Sequence, residues 1–224
     1  MTAVDASLRS SFLSSSLFLN GLTLITFIEA LRTDSQKMRN MMNLETSVSF
    51  VASLVYAWII AKIDTNAITL EQITEYRYLD WSITTPMLLL VLLMFFKTPV
   101  PIYIYLIVLL LNAGMLTSGY LGETKRVNKM VGGIIGFIFF AMMIFLIAIY
   151  CLNNYSKWNE IALFFCFALI WTLYGVAYYF TDVKMKNRMY NILDVIAKVF
   201  FGIYVWIFYS NIFTDKKSHL LRLI

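Results

Sequence analysis

The sequence predicts an all-α membrane protein, a bundle of seven transmembrane helices. Three observations predict it. The 224 residues are 60% apolar and 17% aromatic with a mean hydropathy of +0.74, and a soluble domain of this size needs more polar surface than that leaves. The apolar residues gather into seven segments, each close to the roughly 20 residues a helix needs to cross a bilayer. Short polar or turn-forming stretches separate them, and inside lipid a helix satisfies its own backbone polar groups.

The segments run 11–32, 41–62, 73–96, 101–121, 130–152, 159–180 and 188–211. The first carries Ser11, Ser14, Ser15, Ser16 and Asn20 and ends at "RTDSQKMRN". The second ends at "KIDTNAITLEQ". The third opens on "RYLDW" and stops at "KTPVP", where Pro99 and Pro101 break one helix and start the next. The fourth ends at "GETKRVNK", the fifth at "NNYSKWNE" and the sixth at "TDVKMKNR". The seventh leads into a basic tail, "TDKKSHLLRLI", expected at the headgroup level. Short connections imply up-and-down neighbours, and residues 1–224 read as a single membrane domain. "MTAVDASLRSSFLSSSLF" lacks the pattern of a cleaved signal. Loop charges are nearly balanced between the two sides and do not orient the chain.

Several chemistries are disfavoured. The net charge of +5 is scattered, so no nucleic-acid partner is expected. Cys151 and Cys166 lie in apolar runs and read as small core residues. The one histidine, His219, is in the tail, so no metal site is expected.

Charges inside the spans carry the functional signal. A charge at the bilayer centre costs roughly 2.5–3.5 kcal/mol by insertion scales, so it needs a partner and a reason. Glu29, Glu45, Arg77, Asp80, Asp194 and Lys198 are the candidates. Lys198 is the deepest, with Asp194 one turn before it. Asp80 offers a second carboxylate, Arg77 a balancing cation and Thr84 a hydroxyl on the same face. One reading is a salt bridge joining helices. The other is a lysine nucleophile that holds an aldehyde as a protonated Schiff base, with carboxylates as counter-ions.

"RYLDWSITTP", residues 77–86, resembles the third-helix signature of the microbial (type I) rhodopsins, and "LDVIAK", 193–198, resembles their retinal-lysine signature. "WTLY", 171–174, resembles the tryptophan–tyrosine pair at the ring end of retinal, and "NAGMLTSGYLGE", 112–123, resembles the proteorhodopsin-type fourth helix. Within the family the likeness is to the second group of viral rhodopsins from giant algal viruses. The resemblance implies the seven-helix fold of that family and a retinal cofactor, all-trans, bound to Lys198 as a protonated Schiff base. Asp80 would be primary counter-ion and proton acceptor, Asp194 the second counter-ion and Arg77 their stabiliser. Tyr56 and Tyr174 would hydrogen-bond Asp194. Trp81, Thr85, Leu88, Met115, Gly119, Trp171 and Tyr178 would lie along the retinal, and Leu88 would favour green absorption. The N-terminus would be extracellular, in a host cell membrane, and the chain a homo-oligomer, a pentamer rather than a trimer.

The chain also departs from the family pattern. The carboxylate that returns the proton in bacteriorhodopsin stands eleven residues beyond the acceptor, about 16 Å along the helix. Here that position is Val91. Glu45 either takes over this role from the second helix or is an interfacial side chain. No pair of release glutamates precedes Asp194, and Gly175 stands where a sixth-helix proline is usual. Glu29 is expected to snorkel or, with Arg39 and Trp206, to face a neighbouring copy or a fenestration. The leading expectation is a light-driven outward proton pump, with no chemical turnover of a substrate. A light-gated cation channel and a photosensor signalling through a partner are the alternatives. The retained Asp80 argues against chloride or sodium pumping.

Overall fold

The computed structural model describes residues 6–96, 100–152 and 157–210. Seven helices long and apolar enough to cross a membrane fill these stretches: α1 (Ala6–Arg32), α2 (Gln36–Asp64), α3 (Leu70–Phe95), α4 (Ile102–Glu123), α5 (Lys129–Cys151), α6 (Trp158–Tyr178) and α7 (Val183–Ser210). The chain is an integral, multi-pass membrane protein. Each helix packs on the next, and α1 packs on α7, closing the ring. The α2–α3, α4–α5 and α6–α7 connections share one end of the bundle, here the first face. The α1–α2 connection and the end of α7 lie at the second face.

Polar caps set the helix ends further out than hydropathy alone implies. Ser35 caps α2 through the Met38 N–H, and Thr69 and Gln72 form a reciprocal capping box on α3. Asp182 takes the Lys184 and Met185 N–H groups at 2.9 and 3.2 Å, so α7 begins five residues before its apolar run. Ser10 and Arg9 ride in the first turns of α1, where Arg9 pairs with Asp64 of α2 at 2.5 Å. The tail and its His219, and Pro99 in the α3–α4 connection, lie outside the described residues.

The largest core joins α2–α6 and the end of α7, and includes Val48, Leu92, Val108, Phe164 and Val205. The outer surface is apolar as well, with Leu17, Leu110, Phe145 and Leu169 all exposed to the bilayer. Cys166 belongs to that outer surface. It is exposed, not a core residue as its apolar surroundings suggested, whereas Cys151 is buried. In lipid both faces of a helix are apolar, so hydrophobic periodicity does not separate inside from outside. Glycines bring elements close where the core requires it. A Cβ at Gly175 would run into the Phe137 ring, so this glycine admits α5 against α6.

Candidate functional site

Four ionisable side chains meet in the middle of the bundle, two positive and two negative. Arg77 and Asp80 come from α3, Asp194 and Lys198 from α7, and none is more than 1% exposed. The Lys198 amine lies 2.5 Å from Asp80 Oδ2 and 3.7 Å from Asp194 Oδ1. Arg77 Nη1 stands 3.6 Å from Asp194 Oδ2. The set is formally neutral, which is what lets four charges stay in low dielectric. Removing one partner of such a pair costs about 3–5 kcal/mol.

The two carboxylates are not equivalent. Asp194 accepts hydrogen bonds from Tyr56 and Tyr174, each at 2.6 Å, and from the Trp81 indole at 3.3 Å. Asp80 receives only Lys198, and its Oδ1 has no hydrogen-bond partner among the described residues. The Thr84 hydroxyl does not reach that oxygen. It donates at 2.9 Å to the Asp80 backbone carbonyl instead, as helical threonines often do.

The backbone of α7 is itself altered here. Val195–Phe200 forms a π-helical turn, and Lys198 sits within it. Such a turn inserts extra backbone and locally re-aims side chains. No residue in "VIAKVF" announces it.

Neutral oxygens, not acids, hold most of the Arg77 guanidinium. Nε donates to Asn187 Oδ1 at 2.9 Å and Nη2 to the Asn187 carbonyl at 3.0 Å. Nη2 also donates to Asn191 Oδ1. Asn191 is anchored by its own donation to Ser11 at 2.6 Å. Rings of Phe12 and Tyr190 flank the guanidinium at 4.9 and 5.5 Å. Sequence reasoning missed both asparagines. Their only signal is that they stand one turn apart, each opposite the arginine.

Lys198 lies in the wall of an otherwise mostly apolar cavity. Trp81, Thr85, Leu88, Met115, Gly119, Trp171, Tyr174 and Tyr178 all line it, together with Asp194 and Lys198. Tyr56 lies outside this wall and touches the site through Asp194. Trp81 packs edge-on against Tyr174 and Tyr190, with centroids 5.5 and 5.0 Å apart. Gly119 keeps the wall open, since a Cβ there would stand 2.7 Å from the Tyr78 hydroxyl. Asn112, which opens the quoted fourth-helix stretch but was given no role of its own, donates to Thr85 Oγ1 at 2.9 Å and ties α4 to α3.

Glu45 lies toward the second face. It is fully buried, nine residues inside α2, and neither carboxylate oxygen has a hydrogen-bond partner among the described residues. It is therefore not an interfacial side chain. It rests against Gly202 of α7, one turn beyond Lys198, where a Cβ would come 2.8 Å from Glu45 Oε2. Val91 is buried and apolar. Glu29 does not snorkel. It is 5% exposed and accepts from Arg32 at 2.9 Å and from the Trp206 indole at 3.2 Å. Arg39 donates to the Thr33 carbonyl at 2.7 Å.

Comparison with known proteins gives the same frame. The sequence profile of the bacteriorhodopsin-like protein family matches residues 8–212. The crystal structure of viral rhodopsin OLPVRII superposes with a TM-score of 0.86 at 38% identity, covering 92% of this chain and 98% of that one. The proton pumping rhodopsin AR2 of the marine alga Acetabularia acetabulum has the same fold, with a TM-score of 0.80 at 19% identity over 95% of this chain and 98% of that one. The green-light absorbing proteorhodopsin of Gamma-proteobacterium EBAC31A08 is 26% identical over 152 residues, 59% of this chain. The match spans about 60% of the length of that curated relative. With a family profile running through all seven helices and a buried lysine in the wall of a mostly apolar cavity, this chain belongs to the bacteriorhodopsin-like family and is a microbial rhodopsin.

Proposed function

We propose that the chain is a light-driven outward proton pump, with all-trans retinal held by Lys198 as a protonated Schiff base. One observation carries the reading: the buried Lys198 amine has a buried carboxylate on either side of it along the bundle axis. Asp80 lies on the side of the first face and Glu45 on the side of the second. The cavity fits the cofactor in its chemistry, with the lysine and aromatic and aliphatic side chains in one wall. Retinal, when bound, supplies a light-driven isomerisation that re-aims the nitrogen.

The residues then divide the work. Lys198 holds the proton at its nitrogen, and Asp80, 2.5 Å away with Oδ1 open, receives it. Asp194 keeps its charge, because two tyrosines and an indole already occupy its lone pairs. Arg77 holds the field of this pair from the side of the first face. Glu45 returns a proton from the other side, in place of the carboxylate that Val91 lacks. In this reading the first face is extracellular, the N-terminus lies outside, and the membrane is that of a host cell. The proteorhodopsin-like fourth helix favours a homopentamer, with Arg39 and Trp206 near a neighbouring copy and Glu29 held behind them inside its own protomer.

The hydroxyls of α1 and α2 favour a pump over a channel. Thr23 donates to Ser49 at 2.9 Å and Thr46 to Thr26 at 2.8 Å, so these groups satisfy each other across the helix seam. Recording external pH from illuminated cells, with a parallel current–voltage curve, tests the reading. Acidification abolished by a protonophore is expected. A current that reverses with the cation gradient would replace the pump by a channel. A coloured protein with neither response would make it a photosensor.

A further inference from the structure

A second buried ion pair stands apart from the four central charges. Glu123, the last residue of α4, and Lys186, in the first turns of α7, meet at 2.6 Å with side chains 6% and 4% exposed. Lys129 of α5 approaches the other Glu123 oxygen at 3.7 Å. The other charged or titratable groups about this pair, among the described residues, are Tyr78 of α3, Tyr178 of α6, and Tyr190 and Arg77.

The next residue after Lys186 is Asn187. It is fully buried, and it takes Arg77 on both its side-chain and backbone oxygens. Its amide nitrogen donates to the Val183 carbonyl at 2.9 Å, which turns its oxygen toward the arginine. Consecutive helix positions point about 100° apart, so Lys186 faces α4 while Asn187 faces α3. The height and rotation of this turn of α7 therefore decide where the guanidinium rests.

We infer that the Glu123–Lys186 ion pair is a clamp that positions Arg77, by fixing the turn of α7 whose Asn187 cradles the guanidinium. Glu123 and Lys186 are positioning residues and touch neither the cofactor nor the transferred proton. The inference rests on the retinal–Lys198 reading of the site. It does not depend on whether the protein pumps.

The test is the acid-induced absorbance shift of the dark pigment, whose midpoint reports protonation of the counter-ion under the field of Arg77. Three variants are read: Glu123→Gln, Lys186→Met and the charge exchange Glu123→Lys with Lys186→Glu. If the clamp positions Arg77, each single variant loosens the cradle and raises the midpoint by about half a pH unit or more. The exchange restores it to within about two tenths of a unit. Arg9→Gln, which breaks the half-exposed pair with Asp64, is expected to leave the midpoint unchanged. Single variants that move the midpoint in opposite directions would reveal a plain charge effect and overturn the inference. So would single variants with no shift. Should Glu123→Gln fail to take up retinal, Glu123→Asp is read instead. It retracts the charge by one methylene and is expected to raise the midpoint by a smaller amount, and no shift there overturns the clamp equally. Light-driven pH change, recorded on the same samples, tests the pump separately.

Discussion

Glu45 and Gly202 are in contact across α2 and α7: a methyl group added at Gly202 would stand 2.8 Å from Glu45 Oε2. The contact places a buried carboxylate, without a hydrogen-bond partner among the described residues, beside the residue one helical turn beyond Lys198 and on the side away from Asp80. If Glu45 returns the proton, Glu45→Gln slows recovery of the dark absorbance band after a flash by about tenfold or more. Gly202→Ala, which displaces the carboxylate without removing it, slows the same recovery by a smaller factor. Unchanged recovery in both variants would remove Glu45 from the pathway.

Asp80→Asn removes the carboxylate nearest the Lys198 nitrogen, at 2.5 Å. Two outcomes are expected. External acidification under light falls to background, because the acceptor is gone. The visible band is also lost at a lower pH on alkaline titration, since a negative neighbour favours the protonated nitrogen and its loss lets the proton leave sooner. Titration of the visible band in purified protein checks the second outcome.

Tyr56→Phe and Tyr174→Phe each delete one 2.6 Å hydrogen bond to Asp194. Hydrogen bonds to charged groups contribute about 1.5–3 kcal/mol each. Either change is expected to lower the thermal bleaching temperature. The double variant is expected to fall short of the sum or exceed it, because both hydroxyls serve one carboxylate. Strict additivity would show that the two tyrosines do not act through Asp194 together.

Gly175→Ala places a Cβ against the Phe137 ring at the cavity wall. Overpacking of this kind costs about 1–3 kcal/mol. The variant is expected to bind retinal more slowly and bleach at lower temperature, measured by chromophore formation and a thermal ramp. Wild-type behaviour would mean that α5 and α6 separate easily at this level.

The central charges were legible in the sequence for a physical reason. Arg77, Asp80, Asp194 and Lys198 stand in otherwise apolar spans, where a charge is costly and rarely incidental. The partners that complete the site were hidden for equally physical reasons. Asn187 and Asn191 fall in the polar opening of α7, where asparagine raises no question. Glu123 and Lys186 stand near helix ends, where charges are ordinary, and 63 residues of chain separate them. The π-helical turn around Lys198 depends on packing and has no local motif. Glu45 was ambiguous because the helix start at Gln36, five residues before the apolar run, hid how deep it lies. Cys166 was misplaced because the lipid-facing and core-facing sides of α6 are equally apolar.

The most direct measurement is the visible absorption spectrum of the purified protein mixed with all-trans retinal, beside that of Lys198→Ala. A stable coloured band in the first and none in the second is expected. A protein that stays colourless, or a variant that keeps the colour, would contradict the assignment of the cofactor to this amine.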